Sequence, residues 1–154
     1  MAQASFKKIQ DTVTKNLEDM IKNLDDNRGF IKLAVIPMYS NAQRKKFQTE
    51  NASEGEQWLP ITKETLAYKL KYFGSSPGGG TKTLIRTGAL YQSIFPGGDK
   101  NKTVTERRSF ITATEVKYAE YVNQIRPIFK FKSLTKDIKA KYIEYLKTGR
   151  INGS

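Results

Sequence analysis

Neither cysteine nor histidine occurs in this chain. Without a thiol there are no disulfides, and without either side chain the usual zinc, haem and iron–sulfur ligand sets cannot be assembled. The same two absences remove Ser-His-Asp and Cys-His nucleophile arrangements. Catalysis would need a Ser-Lys or a carboxylate pair, and no local motif places either; the acidic residues are scattered beside basic ones, where i, i+4 pairing accounts for them. The chain is therefore expected to be no enzyme and to need no cofactor. No acidic cluster points to a calcium or magnesium site. Long apolar runs are missing too: the longest, Leu33 to Tyr39, is interrupted by Pro37, so neither a signal peptide nor a membrane span is expected. Helix-turn-helix, zinc-finger and RNA-recognition signatures are also lacking, which leaves sequence-specific reading of nucleic acid without support.

What is present is a composition that folds. With 154 residues, 38% of them apolar and 11% aromatic, the chain is read as a single domain over 1–154. Lys and Arg number 27 against 15 Asp and Glu, a net +12 that attracts nucleic acid or acidic protein surfaces. The organising stretch is Gly55 to Lys69, which holds the only tryptophan, Trp58, between a turn signal and a helix start. Burying an indole contributes about 4–6 kcal/mol before costs, enough to pin a loop on a core.

The expected architecture is α+β: an N-terminal helical hairpin, a small antiparallel sheet and a C-terminal helix. Phe6, Ile9, Val13, Leu17, Met20/Ile21 and Leu24 recur at steps of three and four, giving a helix over about 4–24. Phe30, Leu33/Ala34, Met38 and Ala42 give a second, over about 27–47, kinked or restarted at Pro37; a strand over Phe30 to Ile36 is the alternative. Arg44, Lys45 and Lys46 at its end read as C-terminal helix charge. Pro60 and an N-cap at Thr62 start a helix over 62–73, with Leu66, Leu70 and Phe73 as its apolar face. Gly74, Ser75, Ser76, Pro77, Gly78, Gly79 and Gly80 form a flexible loop by composition, a candidate interface arm. The stretch 84–129 is mixed: Thr87 caps a short helix through Leu90, Tyr91 and Ile94, and Thr103 to Ala113 reads as a strand whose partner lies around Ser93 to Phe95. A helix-like patch follows at Tyr118 to Val122. The last helix, 134–147, has Leu134, Ile138, Tyr142 and Tyr145/Leu146 on one face and ends at Gly149. Between Lys130 and Arg150 seven basic residues meet two acidic ones, a basic face or tail.

Four short patterns occur in order. They are Gly55, Trp58 and Pro60 with Thr65 and Lys69 following; Leu84, Thr87, Gly88, Leu90 and Ser93; Tyr118, Ala119 and Tyr121; and Arg126, Pro127 and Phe129. The series resembles the phage virion morphogenesis family, which includes Mu-like tail completion proteins and is related to the head-to-tail joining proteins of long-tailed phages. That family usually follows its Tyr-Ala pair with His-Gln and Gly, where this chain has Asn123 and Gln124 and no Gly before Arg126. The resemblance implies a small α+β structural subunit of the virion, made in the host cytoplasm, that forms a ring with copies of itself at the tail end or in the neck. Its implied partners are other neck, connector or tail-tube proteins, with non-specific contact to packaged DNA and no membrane. Trp58, Leu90 and Phe129 are expected in the core, with Tyr118 and Tyr121 leaning the same way, and Arg126 in a salt bridge within or between subunits. A non-specific nucleic-acid-binding module is the competing reading, on the net charge and the tyrosines interleaved with lysines near the C-terminus.

Overall fold

The computed structural model of the chain describes residues 14–15, 17–74, 82–85 and 87–151. Its class is α+β, with helices at both ends of the described chain and one antiparallel hairpin between them. Helix α1 covers residues 17–25. After Asp26 and Asn27, helix α2 begins as Arg28–Phe30, widens into a π-helical turn at Ile31–Val35 and runs on as Ile36–Gln48. Helix α3 is Lys63–Phe73, α4 is Ala89–Ser93, the strands β1 and β2 are Asn101–Thr105 and Phe110–Thr114, α5 is Ala119–Ile125 and α6 is Leu134–Thr148. The Phe6, Ile9 and Val13 part of the first apolar stripe and the loop residues Ser75 to Gly80 lie outside the described residues. Within α1, Leu17, Ile21 and Leu24 are exposed.

The second helix shows how one residue changes a register. Pro37 has no N–H, and in α-geometry its ring would press on the carbonyl four residues back. The wider turn just upstream relieves that conflict, so the expected kink is a π-turn in an unbroken helix and the strand alternative falls. A π-turn inserts one extra residue. The stripe expected at Leu33, Met38 and Ala42 therefore moves, and the buried positions are Phe30, Ile31, Ala34, Tyr39, Gln43, Lys46 and Phe47, with Leu33 in solvent.

Polar side chains thereby enter the interior, and each finds a backbone carbonyl from the far half of the chain. The Tyr39 hydroxyl donates to Ile94 O at 3.1 Å, Gln43 Nε2 to the Tyr39 oxygen at 3.0 Å and Ile128 O at 3.4 Å, and Lys46 Nζ to Lys130 O at 2.5 Å. This corrects the reading of Lys46 as surface charge: only Arg44 and Lys45 of that triplet are exposed. Beside this seam the apolar core gathers Phe47, Trp58, Ile85, Leu90, Ile94, Val116, Ala119 and Ile128.

The expected strand pairing is also corrected. Strands β1 and β2 pair with each other, Asn101 opposite Thr114 and Thr105 opposite Phe110, around a turn in which Ser109 Oγ donates to Glu106 Oε2 at 2.7 Å. Ser93 to Phe95 instead ends α4, because Asn101 Nδ2 donates to Ser93 O at 2.9 Å and holds the hairpin against a helix end. At the bend between them a Cβ on Gly98 would sit 2.0 Å from the Gln92 carbonyl oxygen and 3.0 Å from that of Phe95. Backbone atoms cannot rotate away. Gly98→Ala is therefore expected to destabilise the fold by about 1–3 kcal/mol, the usual cost of overpacking. A urea unfolding midpoint equal to that of the parent protein would contradict this.

The C-terminal helix matches its expected span to within one residue. Its Tyr142 and Tyr145 rings lie 5.0 and 5.3 Å from Phe30, with hydroxyls donating to Asn27 Oδ1 and Asn23 Oδ1. Gly149 ends it at φ +64°, the left-handed cap that glycine adopts without penalty, its N–H donating to Tyr145 O at 2.7 Å.

Candidate functional site

The four ordered patterns are spread over about 75 residues of sequence, and the fold brings part of each to one cleft of about 490 Å³. Helix α3 supplies Thr65 and Lys69, the segment before α4 supplies Leu84, Thr87 and Gly88, α4 itself supplies Leu90, and Tyr118 and Arg126 close it from either end of α5. A larger apolar hollow of about 690 Å³ lies between the π-turn, β2 and α6, but it contains only Phe129 of the pattern residues. The first hollow is the candidate because the chain's separate signals converge there.

Local chemistry explains how each wall is held. Thr62 caps α3, its hydroxyl accepting from Thr65 N at 3.3 Å, as expected from the sequence. The buried position on α3 is Lys69, whereas Leu70 faces solvent, a correction to the expected apolar face. The reason is polar: Lys69 Nζ donates to Lys82 O at 2.5 Å, near the Glu50 carboxylate. Burial lowers the Lys69 amine below its ordinary value, and Glu50 opposes that. At Glu50, burial pulls the carboxyl up, but the hydrogen bond from Thr83 N at 2.7 Å together with Lys82 and Lys69 leaves it below the usual carboxylate range. Lys82 Nζ completes the lattice by donating to Gln48 O at 2.8 Å. The segment 82–85 is thus clamped to the end of α2 by charge. Leu84 sits there at φ +65°, a conformation that costs a leucine energy and that the clamp enforces.

Gly88, at φ +81°, is itself the N-cap of α4, and Thr87, expected in that role, lends its hydroxyl to Ala89 N at 3.4 Å. Ser93, fully buried, donates to Leu90 O at 2.9 Å and accepts from Thr114 Oγ1 at 2.6 Å, tying α4 to β2. Gly55 turns at φ +83° ahead of Trp58, which is 5% exposed and packs edge-on against Phe47 with centroids 5.1 Å apart. Pro60 is exposed on the way to α3.

Three pattern residues stand elsewhere than expected. Tyr118 and Tyr121 are exposed, the latter to 66%, and Ala119 and Val122 make the core contact of α5 instead. Phe129 is on the surface, and its neighbour Ile128, beyond the half-buried Pro127, fills the core at 0% exposure. Arg126 has no carboxylate partner among the described residues; its Nη2 donates to Leu59 O at 3.2 Å, and its Nε is buried without a hydrogen bond. Asn123, absent from the pattern, was missed by sequence reasoning: its Oδ1 accepts from Ile128 N and Phe129 N at 2.8 and 3.2 Å and shapes the Arg126 to Phe129 turn. An Asn four or five residues ahead of a proline break is the signal that could have found it.

The arrangement offers hydroxyls at Thr65 and Thr87, a guanidinium at Arg126 and an apolar wall, which is chemistry for holding a surface. Among the described residues no cluster of three or more acidic side chains is placed to hold a metal ion, and no helix is long and apolar enough to cross a membrane. No protein-family model matches the chain, and no curated protein or solved structure is significantly similar to it.

Proposed function

We propose that the chain is a structural subunit of a tailed-phage virion, one member of a ring that completes the tail or joins it to the head in the neck. The observation that carries this reading is the convergence just described: all four patterns that resemble the virion morphogenesis family reach the walls of a single cleft. Tyr118 both lines the cleft and is exposed. Tyr118 at the N-cap of α5 and Tyr121 and Ile125 within it recur at three and four residues and are all exposed, and Leu59, 74% exposed, accepts from Arg126 at the end of that helix. Exposed large apolar side chains at helical spacing suit a protein contact, and a head-to-tail contact between unlike patches forms a ring where its rotation closes. Neck, connector or tail-tube proteins would be the next layer of partners.

Particles induced from the genome that encodes the chain are expected to contain it in a fixed copy number. Deleting its gene should leave heads and tails unjoined or tails unfinished in electron micrographs. The variant Tyr121→Asp/Ile125→Asp, which alters only exposed positions, should fold by circular dichroism yet fail to enter particles. Infectious particles of normal form from the deletion would overturn the reading.

A further inference from the structure

The exposed side of α6 is basic, with Lys139 at the rim of the apolar hollow that Phe30 also lines. At 3.6 residues per turn, Lys136, Lys139 and Lys147 fall within about 80° of arc and span about 16 Å of axis, with Ala140 and Ile143 between them. All three lysines are exposed, and so is Arg150, just past the Gly149 cap. The two acids of the helix lie about a quarter turn away, and one of them, Glu144, is 3.4 Å from Lys141. Net charge of +12 across the chain supports the same sign of partner.

We propose that this face of α6 binds the phosphate backbone of double-stranded DNA without regard to sequence. Two observations choose the partner. Protein interfaces are depleted of lysine, and this face has Ile143 as its one large apolar side chain, so it lacks the anchors that a protein contact uses. Single strands bind through stacking on aromatic rings, but Tyr142 and Tyr145 point inward at Phe30 with their hydroxyls tied to Asn27 and Asn23. A straight row of flexible cations with no stacking platform suits a duplex backbone.

The test is fluorescence anisotropy of the isolated full chain with two unrelated duplexes and a single strand, at about 50 and 200 mM salt. Four phosphate contacts give a log–log salt slope of about −3.6, so affinity should fall about a hundredfold over that range and differ little between duplexes. Replacing Lys136, Lys139, Lys147 and Arg150 together by Gln should weaken binding at least about tenfold and flatten the slope by about one per residue. Replacing Lys32, Lys45, Lys63 and Lys71 by Gln removes the same charge from other exposed sites and should leave binding within about threefold. Equal weakening by both sets, no binding by the parent chain, or tighter binding to the single strand would each overturn the proposal. Polyglutamate displacing the duplex at matched charge would do so too, assigning the face to an acidic protein. Binding to free DNA is independent of incorporation into particles, so the two proposals fail separately.

Discussion

Trp58→Ala is expected to lower the free energy of unfolding by about 3–5 kcal/mol, the range seen for large aromatic deletions in cores. The indole is 5% exposed, edge-on to Phe47 at 5.1 Å, and its backbone N–H donates to Glu50 O at 2.8 Å. Its loss would leave a hollow under the turn that starts from Gly55, and Phe47 also carries Tyr91 on another edge at 5.2 Å, so repacking would disturb two neighbours. Trp58 Nε1 is buried with no hydrogen-bond partner among the described residues. That makes Trp58→Phe informative, because it keeps a ring against Phe47 and removes an unsatisfied donor. It should cost much less than the alanine. Equilibrium urea unfolding of the three proteins decides: an alanine variant whose unfolding midpoint equals that of the parent would show that Trp58 is no anchor.

The second large effect is a dependence on pH centred on Lys46. Its side chain is fully buried, with Nζ 4.6 Å from the Phe131 ring centre and bonded to Lys130 O. Burial pushes the amine down from 10.5 to about 8, against a smaller upward pull from Glu54. The native state thus disfavours the charged form. Below about pH 8 the amine is protonated in both states and the protein bears the full cost of burying the charge; above about 10.5 it is neutral in both and the cost vanishes. At 1.36 kcal/mol per pH unit, this site should add about 3 kcal/mol to stability as pH rises through that window. Other lysines titrate there as well, so the measurement is the stability difference between the parent and Lys46→Met at about pH 7 and 10.5. That difference should move toward the parent by about 3 kcal/mol at high pH. A difference that stays flat would mean that Lys46 is hydrated in the native state.

Much of the fold was legible because the signals are local. The three- and four-residue spacing of Leu134, Ile138, Tyr142 and Tyr145 with Gly149 behind them places the last helix to within a residue, and Thr62 ahead of Thr65 marks the start of α3. Capping and amphipathic periodicity act over one or two turns, so they survive without knowledge of what packs against them. The hairpin was half legible. Thr103 to Ala113 has strand composition, but the partner is inside the same stretch, because Glu106 and Ser109 can close a turn that their residue types do not announce.

The candidate site was legible as residue patterns and illegible as geometry. Gly55, Trp58 and Gly88 act through their own backbone or bulk, which sequence reports directly. Lys46 reads as charge at a helix end, yet it, Gln43 and Lys69 are interior, because carbonyls of Lys130, Ile128 and Lys82 meet them there. An isolated helix gives no sign of such acceptors.

From its sequence alone this chain has an α+β class, its helix ends, its Trp58 anchor and its positive charge, since each follows from composition or from contacts a few residues apart. Tertiary structure decided which helix face is inside. One extra residue in the π-turn before Pro37 rotates every later position of α2, and only the far carbonyls of Ile94, Ile128 and Lys130 make that rotation favourable.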